Sequence, residues 1–94
     1  MQDDYFEWDD RKAAANIARH GVSFKTARLA FSDASAVARE DPRQDYGEDR
    51  FTLLGMADDR LLHVAYTMRH DRFRIISARL AEPRERRRYH EQDS

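Results

Sequence analysis

Three strand-like segments in direct succession constrain the fold of this chain more than any other feature. They read RFTLLGMA, RLLHVAYTMR and RFRIISAR and occupy residues 50–57, 60–69 and 72–79. Only two polar residues separate each segment from the next, and such short connections join antiparallel strands. Apolar and polar residues largely alternate along the segments, as in half-buried strands. The sequence therefore predicts an antiparallel sheet with one apolar face.

The two short connections also predict the register of the sheet. They place Ala57 opposite Arg60 and Arg69 opposite Arg72, and opposite residues share a face. In this register Arg79 falls on the apolar side. The predicted apolar face carries Phe51, Leu53, Leu62, Val64, Tyr66, Met68, Phe73 and Ile75. The predicted polar face carries Arg50, Thr52, His63, Thr67, Arg69, Arg72 and Arg74, with Leu54, Ala65 and Ile76.

Helices are expected on both sides of this strand run in the sequence. Ser23 is a typical N-cap, Gly21 a typical helix stop, and Pro83 suits a first helical turn. The remaining predicted elements are a strand at 5–8, helices at 11–20 and 24–31, a strand at 36–40, a polar loop at 41–49 and a helix at 83–92. The prediction is a single α+β domain, residues 1–94, of β-α-α-β-β-β-β-α order. Its curved, mostly antiparallel sheet has helices packed on the apolar face.

Composition excludes several classes of protein. The chain has no cysteine, so disulfides and thiolate metal sites are excluded and a reducing compartment fits. No apolar run approaches the roughly 20 residues of a membrane span. The acidic N-terminus, MQDDYFEWDD, does not resemble a secretory signal. We therefore expect a cytoplasmic protein without a membrane partner.

Arginine is concentrated where the last strand and the last helix are predicted. The net charge is −1, yet residues 69–94 hold eight arginines against five acidic residues. Arg69, Arg72 and Arg74 surround one hairpin end, and like charges directly opposite destabilise a sheet. An anion between them would relieve this repulsion, and arginine forks match phosphate bidentately. RNA phosphate is the predicted ligand. The arginines have three alternative explanations: a solvated cationic face, contact with a partner's carboxylates, or a GC-rich genome that favours arginine codons.

Three segments resemble a known family. FEWD, ARHGVSF and YTMRHDRFRIISARLAEPRERRRY are similar to the BrnT toxins of bacterial type II toxin–antitoxin systems, from about Phe6 to Tyr89. The resemblance implies a RelE-like ribonuclease fold and cleavage of RNA that stops translation. It also implies neutralisation by a BrnA-type ribbon-helix-helix antitoxin. Operator DNA would be bound only through the antitoxin complex.

The resemblance also suggests site residues. The family's polar positions fall here on Thr67, Arg69, Arg74, Ser77, Arg79, Glu85, Arg86 and Tyr89. The residues predicted to be catalytic are Thr67, Arg69, Arg74, Arg79, Tyr89 and His20. The residues predicted to bind RNA are Arg72, Arg84, Arg87 and Arg88.

RNA cleavage by the 2′-hydroxyl needs a proton acceptor, a proton donor and positive charge at the phosphate. Arginine stays protonated, so the arginines suit the third task. His20, His63, Glu40 and Tyr89 remain open as proton acceptors. Three of them also have a plain structural interpretation: helix capping for His20, surface exposure for His63 and core packing for Tyr89. No spacing of histidines and carboxylates indicates a metal site, and no cofactor is expected. The alternative function is a non-catalytic module that binds nucleic acid or antitoxin.

Overall fold

The predicted class and element order are confirmed. The computed structural model describes the backbone of residues 1–45 and 48–92, and the side chains of 1–42 and 48–92. The strands are β1 (Phe6–Glu7), β2 (Val37–Asp45), β3 (Glu48–Ala57), β4 (Arg60–Arg69) and β5 (Arg72–Leu80). The helices are α1 (Asp10–His20), α2 (Phe24–Ala27), which continues as a 3-10 helix (Arg28–Ser32), and α3 (Pro83–Glu91). No helix in these described ranges is long and apolar enough to cross a membrane.

The five strands form one sheet in the order β1-β5-β4-β3-β2. β1 is parallel to β5, and all other neighbours are antiparallel. The predicted pairs Ala57–Arg60 and Arg69–Arg72 are confirmed. Both central residues of each turn, at 58–59 and 70–71, have positive φ. This is the turn geometry that fits the right-handed twist of a two-residue hairpin, and aspartate and histidine adopt it more readily than most residues.

A bulge in β5 corrects the predicted position of Arg79. Tyr66 pairs with Ile75, whereas the preceding residue of β4 pairs with Ser77, so β5 contains one extra residue. Beyond the bulge the faces of β5 are exchanged relative to simple alternation. Arg79 consequently lies opposite His63, on the polar face. The prediction that it falls on the apolar side was wrong, because it assumed an uninterrupted strand.

The main core lies between the apolar face of the sheet and the segment from α1 to the 3-10 helix. Phe24 and Ala30 are buried there, and Phe31 meets Tyr66 edge to face at a centroid distance of 5.1 Å. The buried cluster consists of Phe6, Val22, Phe24, Ala27, Ala30, Leu53, Ala57, Leu62, Val64, Tyr66, Ile75 and Ala78. Burial of these apolar side chains is the main stabilising contribution to the fold.

Helix α1 closes the edge of β5 that the short strand β1 does not cover. The Asn16 side chain donates to the Val22 and Ala78 carbonyl oxygens, both at 2.8 Å, and accepts from the Ala78 N–H at 3.2 Å. The helix begins at Asp9, whose carboxylate accepts from two backbone N–H groups, and ends at Gly21 with φ 69°. These caps fix both ends of α1 beside the sheet edge.

Helix α3 packs on the polar face, not on the apolar face as predicted. Tyr89 lies on a second cluster with Leu54, Leu61 and Ala81. Leu54 pairs with His63 across the β3–β4 ladder, so it shares the polar face with that histidine. The reason is an apolar patch at one end of this face, which needs a cover of its own.

The predicted polar loop at 41–49 is mostly strand. β2 continues to Asp45 and β3 begins at Glu48, with an irregular register between Asp41 and Asp45. The connection at 46–47 lies outside the described residues. Loop-forming residues such as Pro42 suit an edge strand, because its outer backbone groups need no partner in the sheet.

Candidate nucleic-acid interface

The polar face of the sheet contains a first depression of about 220 Å³ near the β4–β5 hairpin. Its floor is formed by β3, β4 and β5, and α1 contributes one side chain at its rim. The lining residues are Lys12, Glu48, Arg50, Thr67, Arg69, Arg74 and Ile76. Four of them are cationic and one is acidic, so the depression favours an anionic ligand.

Two of its arginines are held by carboxylates of the same chain. Arg69 Nη2 lies 2.6 Å from Glu48 Oε1, and Arg74 Nη1 lies 2.6 Å from Glu7 Oε2. The Arg69 pair is exposed to solvent and the Arg74 pair is more buried. The two carboxylates therefore hold these guanidinium groups in fixed orientations.

Arg50 differs from Arg69 and Arg74, because no carboxylate among the described residues holds its guanidinium. Its Nε is buried and has no hydrogen-bond partner among the described residues, and in that same set its guanidinium forms no ion pair. Thr67 has a different environment, because its hydroxyl donates to the Asp49 carbonyl oxygen at 2.6 Å. The geometry thus leaves Arg50, rather than Thr67, with an unused donor.

A second depression, of about 180 Å³, lies at the other end of the polar face, between β2 and α3. It adjoins a larger hollow, of about 680 Å³, along the first turns of α3. The depression is lined by Arg39, Glu40, Asp41, Pro42, Thr52, His63, Glu85 and Arg88. The hollow shares Arg39, Glu85 and Arg88 and adds Glu82, Pro83, Arg84 and Arg87.

Glu85 is the centre of an ion cluster beside the second depression. Arg79 Nη1 and Nη2 donate to its two oxygens at 2.9 and 3.0 Å, and the Glu82 N–H donates at 2.8 Å. Burial opposes the charged form of Glu85, but these hydrogen bonds and the charges of Arg79 and His63 outweigh it. Together they lower the pKa of Glu85 to about 2. Glu85 is ionised at neutral pH and is a very weak base.

His63 faces this cluster from β4. Its Nε2 lies 3.6 Å from Glu85 Oε2, beyond hydrogen-bond distance, and its side chain is 14% exposed. Burial lowers the pKa of His63, and the charges of Arg79 and Arg88 lower it further, while Glu85 acts in the opposite direction. The imidazole is therefore neutral at neutral pH and can accept a proton.

Arg88 brings a second incompletely satisfied guanidinium to the polar face. Its Nε is buried and has no hydrogen-bond partner among the described residues. Burial and the charge of Arg39 lower the pKa of Arg88, and only Glu85 opposes them. Two cations thus lie close together at this depression, an arrangement that an anion between them would stabilise.

The structure separates the predicted site residues into groups. Thr67, Arg69 and Arg74 line the first depression. Arg88 lines the second, and Arg79 lies beside it. Arg84 and Arg87 line the adjoining hollow.

Three predicted residues lie apart from these groups. Arg72 Nε donates to the Asp3 carbonyl oxygen at 2.6 Å, beside β1. Tyr89 is buried and its hydroxyl donates to Asp33 at 2.6 Å. His20 is in the last turn of α1 and is not among the described residues that line either depression.

Sequence reasoning missed Lys12 and Arg39 as members of the site. Arg39 pairs with Thr52 across the β2–β3 ladder, so its face follows from the register of that hairpin. The polar residues in the second half of β2 concealed this register, because they indicated a loop. Lys12 reaches the site from a helix, and no strand pattern could indicate it. Within the described ranges, no three His, Asp or Glu side chains are grouped so that they could hold a metal ion.

These features define a class of protein: a small α+β domain with arginine clusters on the exposed face of a mostly antiparallel sheet. The chain matches the family model described as ribonuclease toxin, BrnT, of type II toxin-antitoxin system, over residues 8–85. It therefore belongs to the BrnT family, as the sequence resemblance predicted. The family is one of ribonuclease toxins, whose type of system includes a cognate antitoxin. No curated protein matches the chain.

Proposed function

We propose that residues 1–94 form an endoribonuclease toxin that cleaves RNA by attack of the 2′-hydroxyl, requires no metal ion, and stops translation in the cytoplasm. The RNA strand lies along the polar face and crosses both depressions. The observation that carries this proposal is the pair of incompletely satisfied arginines, Arg50 and Arg88, one in each depression. A phosphate in each depression supplies the negative charge and the hydrogen-bond acceptors that guanidinium groups favour.

The spacing of the depressions fits one extended ligand. Thr67 lines the first and His63 the second, and four residues along a strand span about 13 Å. A single-stranded RNA can place phosphates in both, because its backbone carries one negative charge per nucleotide. Stacking of bases is less favoured, because the described residues that line the two depressions include no aromatic side chain other than His63.

We propose that the arginines stabilise the negative charge that develops at the phosphate in the transition state. Arg69, Arg74 and Arg79 are oriented by Glu48, Glu7 and Glu85 respectively. Preoriented donors stabilise a charged transition state more than a mobile side chain does, because they need no reorganisation during the reaction. The same donors would replace the positive charge of a metal ion at the phosphate.

The same face is the proposed contact for the antitoxin. A BrnA-type ribbon-helix-helix protein would neutralise the toxin by placing carboxylates in the arginine-lined depressions, where they exclude RNA phosphates. Operator DNA would then be bound by the antitoxin part of the complex. Charge complementarity supports this arrangement, since four cations line the first depression.

The experiment is incubation of the purified protein with total RNA in the presence of EDTA. Discrete cleavage products with 5′-hydroxyl and 2′,3′-cyclic phosphate ends are expected. Absence of cleavage with retained RNA binding would favour the non-catalytic binding module. Absence of growth arrest when the protein is expressed without antitoxin would contradict the toxin function.

RNA binding to the polar face is tested by its salt dependence. Affinity for single-stranded RNA should fall with salt, with a log–log slope of about −0.7 for each neutralised phosphate. Arg50→Ala should reduce the magnitude of this slope by about 0.7. Arg19→Ala, a change at an exposed position of α1, is the matched control and should leave the slope unchanged. An unaltered slope in the Arg50 variant would place that residue outside the RNA contact.

A further inference from the structure

On the basis of the proposed function, we propose that the second depression is where the RNA bond is broken, with His63 as the proton acceptor and Arg39 and Arg88 as the phosphate-binding pair. The first depression then binds a neighbouring phosphate and takes no part in proton transfer. The two depressions differ in the groups that line them and in what those groups already bind.

The first depression lacks a free proton acceptor among the described residues. Its cations are lysine and arginine side chains, and Glu48 is engaged by Arg69 at 2.6 Å. Thr67 uses its hydroxyl proton in a bond to the Asp49 carbonyl oxygen. These residues can hold a phosphate, but none is poised to remove a proton from a 2′-hydroxyl near neutral pH.

His63 is the one imidazole that lines either depression in the part of the chain described. Every element around it presents a charged or polar group. β5 presents Arg79, and α3 presents Glu85 and Arg88. The second depression also receives Arg39, Glu40 and Asp41 from β2 and Thr52 from β3.

Glu85 is a positioning residue rather than the acceptor. Its oxygens already receive three hydrogen bonds, two from Arg79 and one from the Glu82 N–H. Because it is so well satisfied, it has little tendency to take a proton from substrate. Its negative charge, 3.6 Å from His63 Nε2, stabilises the imidazolium that forms when His63 accepts a proton.

Glu40 and Asp41 are less suited to the acceptor role than His63. Asp41 is buried and already has interaction partners. Glu40 is exposed on the outer strand of the sheet. His63 instead projects from a central strand between β3 and β5, where its position is fixed by neighbours on both sides.

Arg39 and Arg88 supply the place for the reacting phosphate. They approach each other closely enough for the charge of Arg39 to disfavour protonation of Arg88, and the Arg88 Nε has no partner among the described residues. A phosphate between the two guanidiniums neutralises the repulsion. Arg84 and Arg87 extend the positive charge along the adjoining hollow.

The proposed step balances in atoms and protons. His63 Nε2 takes the proton of the 2′-hydroxyl, the 2′-oxygen bonds to phosphorus, and the P–O5′ bond breaks with its electron pair on O5′. O5′ takes a proton from water, and His63 returns its proton to the resulting hydroxide. The products are a 2′,3′-cyclic phosphate and a 5′-hydroxyl, with no net uptake of protons.

The test is single-turnover cleavage of RNA in EDTA by wild type, His63→Gln and His63→Ala. Loss of a positioned general base typically lowers the rate about 10²–10⁴-fold, so we expect at least a hundredfold loss in both variants with RNA affinity changed less than threefold. His90→Gln, at an exposed position of α3, is the control and should cleave at the wild-type rate. Added imidazole should restore part of the rate of His63→Ala, which a merely structural role would not allow.

The dependence of the cleavage rate on pH provides a second test. The wild-type single-turnover rate should rise with pH through a pKa below 6.5, the ordinary value for histidine, and the His63 variants should lose this limb. Full activity of folded His63→Gln, or a rising limb that the His63→Gln variant retains, overturns this inference and leaves the proposed ribonuclease function intact. Absence of cleavage by the wild type overturns both, so the two failures are distinguishable.

Discussion

The Arg79–Glu85 pair predicts how the stability of this protein depends on pH. The pKa of Glu85 falls from an ordinary 4.5 to about 2 in the folded chain. A group whose pKa is lowered by folding stabilises the native state above its unfolded pKa and loses that contribution as pH falls through the folded pKa. The window for this loss is therefore between pH 4.5 and about pH 2.

The magnitude follows from the size of the shift. At roughly 1.4 kcal/mol per pKa unit, the complete contribution has an upper limit of about 3 kcal/mol. Between pH 7 and pH 3.5 the part that is lost is about 1 kcal/mol. Solvent screening reduces this value somewhat, since the Arg79 side chain is 31% exposed, whereas Glu85 is only 13% exposed.

The assay is urea unfolding at pH 7 and pH 3.5. Wild type should lose about 1 kcal/mol more unfolding free energy over this pH change than Glu85→Gln, because the variant has no carboxylate to titrate. Other carboxylates contribute equally to both proteins and cancel in the comparison. Glu91→Gln, at an exposed position near the end of α3, is the control and should follow the wild type. An identical loss in wild type and Glu85→Gln would refute the reasoning.

Two further predictions concern the contacts that hold the helices on the sheet. Asn16→Ala leaves the Ala78 N–H and two buried carbonyl groups without their partner. It should lower the unfolding free energy by about 1–3 kcal/mol; a loss below 0.5 kcal/mol on urea unfolding would mean that water replaces the amide. Gly55→Ala places a Cβ 2.5 Å from the Ala30 carbonyl oxygen. This clash with backbone should cost about 1–3 kcal/mol and lower the melting temperature. An unchanged melting temperature would show that the 3-10 helix moves freely.

The predictions from sequence succeeded where short-range chemistry decides the structure. The strands that flank the turns at 58–59 and 70–71 had to pair with Ala57 opposite Arg60 and Arg69 opposite Arg72, because a two-residue connection permits little else. The caps at Ser23 and Gly21 and the proline at 83 fixed the ends of helices for similarly local reasons.

The site could be predicted only in part. The arginines around the β4–β5 hairpin were recognisable from alternation and charge, and three predicted residues do share one depression. The second depression was not recognisable, because it forms between β2 and α3, which are distant in sequence. Four of its lining residues, Arg39, Thr52, His63 and Arg88, come from four different elements. Local pattern contains no information on such long-range contacts.

The sequence by itself thus determined the class of fold, the order of the elements, the pairing of the central strands and the resemblance to the BrnT family. Only the tertiary structure decided where Arg79 points and where α3 packs. A single extra residue in β5 exchanges the faces of the strand beyond it, and alternation counted along the sequence does not detect it. Likewise, Leu54 and Leu61 become a docking patch for α3 only when the β3–β4 ladder brings them together. These leucines are buried only because α3 packs on them in the folded protein. The same packing of α3 places Glu85 and Arg88 beside His63.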